Sequence, residues 1–238
     1  MTTPRGVPFP RAWPSIELPG YRDHPELATY SFFAYESLPP VPSEHFRGDF
    51  AWLKGQPIHD PPAARWAEDA STRLAALAGE AEAKGLTIPG PFLTFMADPE
   101  LVGRIRSCTD CYFELPDRLL RPPWDPRAAL VHFLSDSQEC LLWYLYLDPD
   151  SGPVVLASAD IYGDFSEPAP EADPPETLHH DEPADADSPW DEGPWLCSTS
   201  FEEFLYRFWI ENEIWYAISD DERPLTDEER AYAEHYAT

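Results

Sequence analysis

From Ser200 to Tyr216 the chain sets Phe201, Phe204, Leu205, Phe208, Trp209, Asn212, Trp215 and Tyr216 along one helical face. So many large apolar side chains at helical spacing make a face that must be buried, and a helix of this kind is laid on a sheet. Ser200 followed by Glu203 is a capping-box pair, which starts the helix at 201. A partner-docking face is the competing reading of the stripe. Asn212 is the odd member. A buried amide has to be satisfied, and we expect it to bond a sheet edge or the chain that follows an acidic segment at 164–195.

The sheet itself is written upstream. Residues 130–134 and 140–147 are apolar runs joined by Ser135-Asp136-Ser137-Gln138-Glu139, which is a hairpin pattern. Residues 153–159 return as another strand after the turn sequence Asp148-Pro149-Asp150-Ser151-Gly152. Residues 111–115 alternate and read as an earlier strand. The expectation is an antiparallel β-meander of about three or four strands.

Helices flank it. Residues 62–84 carry Trp66, Ala70, Leu74, Leu77 and Ala81 on one face, with Asp60 as a cap, prolines 61 and 62 in the first turn and Gly85 as the stop. A short helix is expected at 90–97 and a further turn at 99–104. Thr226 with Glu229 forms a second capping box, opening a terminal helix over 227–236.

Four regions follow. Residues 1–60 are a proline-rich, aromatic N-terminal arm packed on the domain, an irregular wrap with one short strand at 29–35. Residues 61–163 form a helix plus the β-meander core. Residues 164–195 hold 11 acidic residues, 7 prolines and no Lys or Arg, and read as a disordered or loosely ordered loop. Residues 196–238 supply the C-terminal helices that complete the same domain. The fold class is α+β, an antiparallel sheet packed by helices.

Charge excludes some functions. With 16 Lys+Arg against 44 Asp+Glu the net charge is −28, which repels phosphate backbones and argues against nucleic-acid binding. No apolar run is long enough to span a membrane. Residues 1–10 lack an apolar h-region, so we expect no secretory signal. The 4 cysteines then read as free thiols in a reducing cytoplasm.

Several residues invite chemistry. Cys108-Thr109-Asp110-Cys111 is a C-x-x-C that could be half a zinc site, completed by Cys140, Cys197 or His132, or a redox pair. No second C-x-x-C exists, and Cys111 and Cys140 sit in apolar strand runs, where cysteine is a small buried hydrophobe. Structural thiols are therefore the preferred reading, and no metal or cofactor is expected. His179-His180-Asp181-Glu182 lies in the acidic loop and is not preorganised for a metal. Ser107, Ser135, Ser137 and Ser198 stand in no nucleophile elbow, and no fixed histidine partner is visible. The stretch 135–139 reads as turn chemistry. Glu202-Glu203 read as first-turn acids favoured by the helix dipole, and Asp220-Asp221-Glu222 as a pattern that an acidic chain generates by default.

Three stretches together carry a resemblance. They are Gly85-Leu86-Thr87-Ile88-Pro89 with Phe92 and Phe95-Met96, then Cys-Leu-Leu-Trp-Tyr-Leu-Tyr-Leu over 140–147, then Ser200–Trp215 with its Phe-Glu-Glu-Phe-Leu-Tyr-Arg-Phe-Trp-Ile-Glu-Asn-Glu-Ile-Trp run. In this order they resemble the SMI1/KNR4-like (SUKH) superfamily over roughly residues 62–219. The 14 Arg against 2 Lys match the codon bias of a G+C-rich, actinobacterial-type genome. The family's usual Asn-Gly-Gly is replaced by Met96-Ala97-Asp98-Pro99. The resemblance implies an α+β domain without catalytic residues that binds a protein partner, as in bacterial immunity proteins that neutralise a basic, nuclease-type toxin. The contacts expected on that reading are Glu171, Asp173, Glu176, Asp181, Glu182, Asp185, Asp187, Asp191 and Glu192 of the acidic loop. A zinc-stabilised or thiol-redox protein using Cys108 and Cys111, and a general interaction adaptor, remain as alternatives.

Overall fold

Tyr112–Phe113 (β3), Ala129–Ser135 (β4), Leu142–Asp148 (β5), Gly152–Ser158 (β6) and Trp195–Ser198 (β7) form an open antiparallel sheet in the order β3-β4-β5-β6-β7. The computed structural model describes residues 9–22, 29–59, 64–165 and 194–237, with backbone only at 64–68 and 237. The expected α+β class holds, with five strands in the meander rather than three or four. The fifth, β7, hides at the end of the acidic segment and pairs with β6 at Leu156↔Leu196.

The central strand explains why its sequence runs apolar without alternation. Trp143, Leu145 and Leu147 enter the main core, whereas Leu142, Tyr144 and Tyr146 enter a second cluster on the opposite face. A strand covered on both sides has no position to give to water.

The main face is covered by Phe201–Ser219 (α5). Phe204 meets Phe133 edge-on at 5.5 Å, and Phe208 meets Trp143 at 6.1 Å. The stripe read from the sequence is thus buried from Phe201 to Asn212, while Trp215 and Tyr216 at its end are half-buried. Its start is half a capping box: Ser200 accepts the Glu203 amide, while Glu203 turns to Tyr35 and Arg207. The box at Thr226 is complete and opens Asp227–Glu234 (α6).

The early helix spans Ala64–Ala83 (α2 in chain order). Ala70, Leu74, Leu77 and Ala81 are buried as expected, while the Asp60 cap, prolines 61 and 62 and the Trp66 side chain lie outside what is described. Gly85 ends it at φ 72, with the Leu86 amide donating to Ala81 O and the Gly85 amide to Glu82 O, a Schellman stop. Gly90–Ala97 (α3) and Pro99–Val102 (α4) fall where expected.

The arm differs from its reading as a wrap with one strand. Ala12–Ser15 (β1) and Ser31–Ala34 (β2) pair as an antiparallel ribbon, with Trp13 and Ser15 buried. The Leu196 amide donates to Pro10 O at 2.8 Å, so this ribbon closes the outer edge of β7. A short helix unseen in the sequence, Ala51–Lys54 (α1), follows Phe50, whose φ is 52. Two cysteine placements also change. Cys111 precedes β3 and Cys140 precedes β5, so neither is a strand residue, and Cys140 is exposed.

Candidate functional site

Trp209 and Glu213 sit one turn apart on α5 and therefore share a face. That face is the floor of an open cleft of about 610 Å³. His59 and Arg106 line it from the first half of the chain, and Asp221, Arg223, Glu228 and Glu229 from the second. Arg106 clamps Glu213 side-on, Nε to Oε1 at 2.8 Å and Nη2 to Oε2 at 2.9 Å, and reaches Asp221 Oδ2 at 2.8 Å. Its guanidinium lies 4.0 Å over the Tyr216 ring. Arg223 holds Glu229 through two bonds of 2.7 and 2.8 Å and touches Glu213 Oε2 at 3.3 Å. His59 Nε2 stands 3.5 Å from Glu213 Oε1.

The protonation states follow. Burial, then Arg106, pushes His59 below its ordinary value against the pull of Glu213 and Asp221, so it is neutral at pH 7. Burial alone would raise the Glu229 carboxyl, but Arg223 and Thr226 hold it below the usual range. The Arg106 hydrogen bond lowers Asp221. Glu228 is exposed and takes the Tyr206 hydroxyl at Oε1. Two arginines thus face four carboxylates, and the cleft carries excess negative charge. Trp209 is only 5% exposed, and its Nε1–H finds no acceptor among the described residues.

The cysteines form a different neighbourhood. The Cys108 amide donates to Asn212 Oδ1 at 2.7 Å, and Asn212 Nδ2 donates to Phe208 O. Asn212 therefore serves the cysteine loop, not a sheet edge or the chain after the acidic segment. Cys111 lies 3.4 Å from Tyr30 Oη and 3.2 Å from Thr109 Oγ1, and Cys140 donates to Asp136 Oδ1. Cys197 is buried in the main core. Burial raises Cys108 to about 12 and Cys140 to about 11, and raises Cys111 as well, which keeps the thiolate scarce at neutral pH. Among the described residues no cluster of three or more His, Cys, Asp or Glu could hold a metal.

Ser135 differs from its reading as a turn residue: it ends β4, and a histidine does stand beside it. His132 Nε2 is 2.9 Å from Ser135 Oγ, and Glu114 Oε1 accepts the serine hydroxyl. Glu114 Oε1 also lies 3.5 Å from the same Nε2. Serine and carboxylate share one ring nitrogen, so the imidazole cannot relay a proton between them as a catalytic triad does. Ser107 receives the Thr109 amide, Ser137 donates to Thr109 O, and Ser198, the last residue of β7, donates to Ser200 O.

The acidic pairs do more than serve a helix dipole. Glu202 is buried, takes the Gly48 amide at 2.8 Å on Oε2 and leaves Oε1 without a partner among the described residues. Glu203 binds the Tyr35 hydroxyl at 2.6 Å. Both tie the arm to α5. Asp221 belongs to the cleft. Glu171 through Glu192, and His179-His180-Asp181-Glu182, lie outside the described residues.

Sequence reasoning missed His59, Arg106, Glu213 and Arg223, and placed Trp209 in a stripe read first as core, with a partner-docking face as the competing reading. One signal was present: Glu213 interrupts an apolar helix one turn after Trp209. Comparison with protein-family models, with curated proteins and with solved structures returns no match to this chain. The class that the fold defines is an α+β protein with an open antiparallel sheet. Among the described residues no helix is long and apolar enough to cross a membrane.

Proposed function

We propose that this chain is a non-catalytic protein-binding domain that docks a basic protein through its acidic surface, as an SUKH-like immunity protein does with a nuclease-type toxin. The observation that carries this is the distribution of charge. Acidic residues outnumber basic ones by 44 to 16. Several of the few arginines are also spent inside the fold: Arg22 on Glu211, Arg207 on Glu203, Arg106 and Arg223 on Glu213. The carboxylates in excess set the outer field, which attracts a basic partner and fixes its orientation.

The sets that suggest chemistry support a non-catalytic reading, because Ser135 and Glu114 meet the same His132 nitrogen and the thiols are raised. Free cysteines suit a reducing, cytoplasmic setting. The loop acids from Glu171 to Glu192 are assigned outer contacts.

The test is capture of the tagged chain's partner from native cells at low and moderate salt, followed by purified binding. A basic toxin-domain protein whose binding weakens with salt supports the reading. Affinity that is unchanged by salt and by neutralising the loop acids, or no partner at either salt, overturns it.

A further inference from the structure

We infer that the Cys108–Cys111 turn is a thiol-modification site, which a small-molecule disulfide converts to an intramolecular disulfide. The inference goes beyond the protein-binding reading and stands apart from it. It assigns a chemistry to the C-x-x-C, which the proposed docking leaves unused.

The turn is closed and held. The Asp110 amide donates to Ser107 O at 3.2 Å, the Thr109 amide donates to Ser107 Oγ at 3.3 Å, and Asp110 takes φ 54. The chain therefore reverses over 107–110, and Cys111 follows directly. Cysteines three apart across such a reversal come within about 7 Å in Cα separation, the reach of a disulfide. Three outside bonds fix the turn in place. Asn212 accepts the Cys108 amide, the Tyr216 hydroxyl donates to Ser107 O, and the Ser137 hydroxyl donates to Thr109 O. After burial, Cys111 is the largest influence pushing Cys108 up, so the two sulfurs are close enough to feel each other's charge. Both cysteines are half-buried, which leaves them open to a small reagent.

The other two cysteines are out of reach. Tyr112 of β3 stands opposite Ser135 of β4, and Ser135 stands opposite Leu142 of β5. A whole strand therefore separates Cys111 from Cys140, roughly 9–10 Å at two strand spacings, too far to bridge. Cys197 belongs to β7, at the far end of the sheet order from β3.

Closure orphans no neighbour. Cys111 Sγ would give up Thr109 Oγ1 at 3.2 Å and Tyr30 Oη at 3.4 Å. Thr109 keeps Ser107 Oγ at 3.1 Å, and Tyr30 keeps Asp136 Oδ2 at 2.7 Å.

The exchange takes two displacements. One cysteine, as thiolate, attacks a sulfur of the small disulfide, whose S–S bond breaks and releases one small thiolate. The second cysteine attacks the protein sulfur of that mixed disulfide and expels the second small thiolate. The two cysteine protons end on two small thiols, and two electrons pass from the cysteine pair to the reagent. Burial raises both thiols, so the reaction is slow at neutral pH and quickens in alkali.

The test uses the full reduced chain and oxidised glutathione, with acid quenching, alkylation of the remaining thiols and peptide mapping by mass spectrometry. The expected product is lighter by two hydrogens, joins Cys108 to Cys111 and reverts with dithiothreitol. It should form about tenfold faster for each pH unit above neutral, as the thiolate fraction rises. Cys140→Ser should leave it unchanged. Cys108→Ser should stop at a glutathione adduct on Cys111, and Cys111→Ser at an adduct on Cys108. Should either of these two variants fail to fold, the linked peptide in the parent and in Cys140→Ser decides. No link between Cys108 and Cys111, a link that takes in Cys140 instead, loss of the product in Cys140→Ser, or a rate that ignores pH overturns the site.

Discussion

The side-chain oxygen of Asn212 accepts the backbone N–H of Cys108 at 2.7 Å, so the cysteine loop is fastened to the middle of α5. The Tyr216 hydroxyl adds a bond to Ser107 O at 3.0 Å. Replacing Asn212 by Ala leaves a backbone donor without its acceptor. The expected loss is about 1–3 kcal/mol of unfolding free energy. Urea denaturation measures it, and labelling of Cys108 should also speed up as the loop loosens. Unchanged stability and unchanged labelling would show that the bond does not hold the loop.

Glu211 is the hub that joins the arm to the last helix. Trp13 Nε1 and the Tyr232 hydroxyl donate to Oε1 at 3.0 Å each, Ser15 donates to Oε2, and Arg22 lies 3.2 Å from Oε2. Glu211→Gln leaves Arg22 buried without a counter-charge between the Phe33 and Tyr236 rings. Breaking a buried pair from one side costs about 3–5 kcal/mol. A loss below about 1 kcal/mol, the range of an exposed pair, would contradict this arrangement.

His59 gives a pH signature. Its folded pKa lies below the ordinary 6.5, through burial first and Arg106 second. The unfolded chain therefore binds this proton more tightly than the folded one. The contribution is whole above about pH 6.5 and is lost as pH falls towards the folded value. His59→Gln should flatten the stability profile below pH 6.5, as read from thermal melts at stepped pH. An unchanged slope in the variant would count against the burial of this imidazole.

Glu202 carries the opposite sign. Burial raises its carboxyl, and Oε1 has no hydrogen-bond partner among the described residues. The folded chain holds this proton more tightly than the unfolded one, so ionisation weakens the fold at neutral pH and ceases to matter below about pH 4.3. Glu202→Gln keeps an acceptor for the Gly48 amide and removes the charge. Its melting temperature should exceed that of the parent at pH 7 and converge with it near pH 4. A lower value at pH 7 would contradict the orphaned carboxylate.

What the sequence discloses depends on distance along the chain. The α5 stripe is legible because its residues are neighbours three and four apart, and β5 because both of its faces are buried in one continuous run. Strand β7 was hidden because four residues beside an acidic segment carry little pattern of their own; its pairing with β6 makes it a strand. Strand β1 was obscured by Pro14, a residue that has no N–H to give to a ladder and so speaks against a strand in the sequence. The cleft was out of reach for the same reason. Arg106 and Glu213 are 107 residues apart, and no local spacing encodes their meeting.

We propose that acidic surface charge docks a basic protein. The most direct measurement of this is the dissociation constant of the purified chain for its captured partner across a salt series, for the parent and for a chain with the acids of 171–192 neutralised. Affinity should fall as salt rises in the parent, and the neutralised chain should give a weaker, flatter response. Equal affinities and equal salt slopes in the two chains would contradict it.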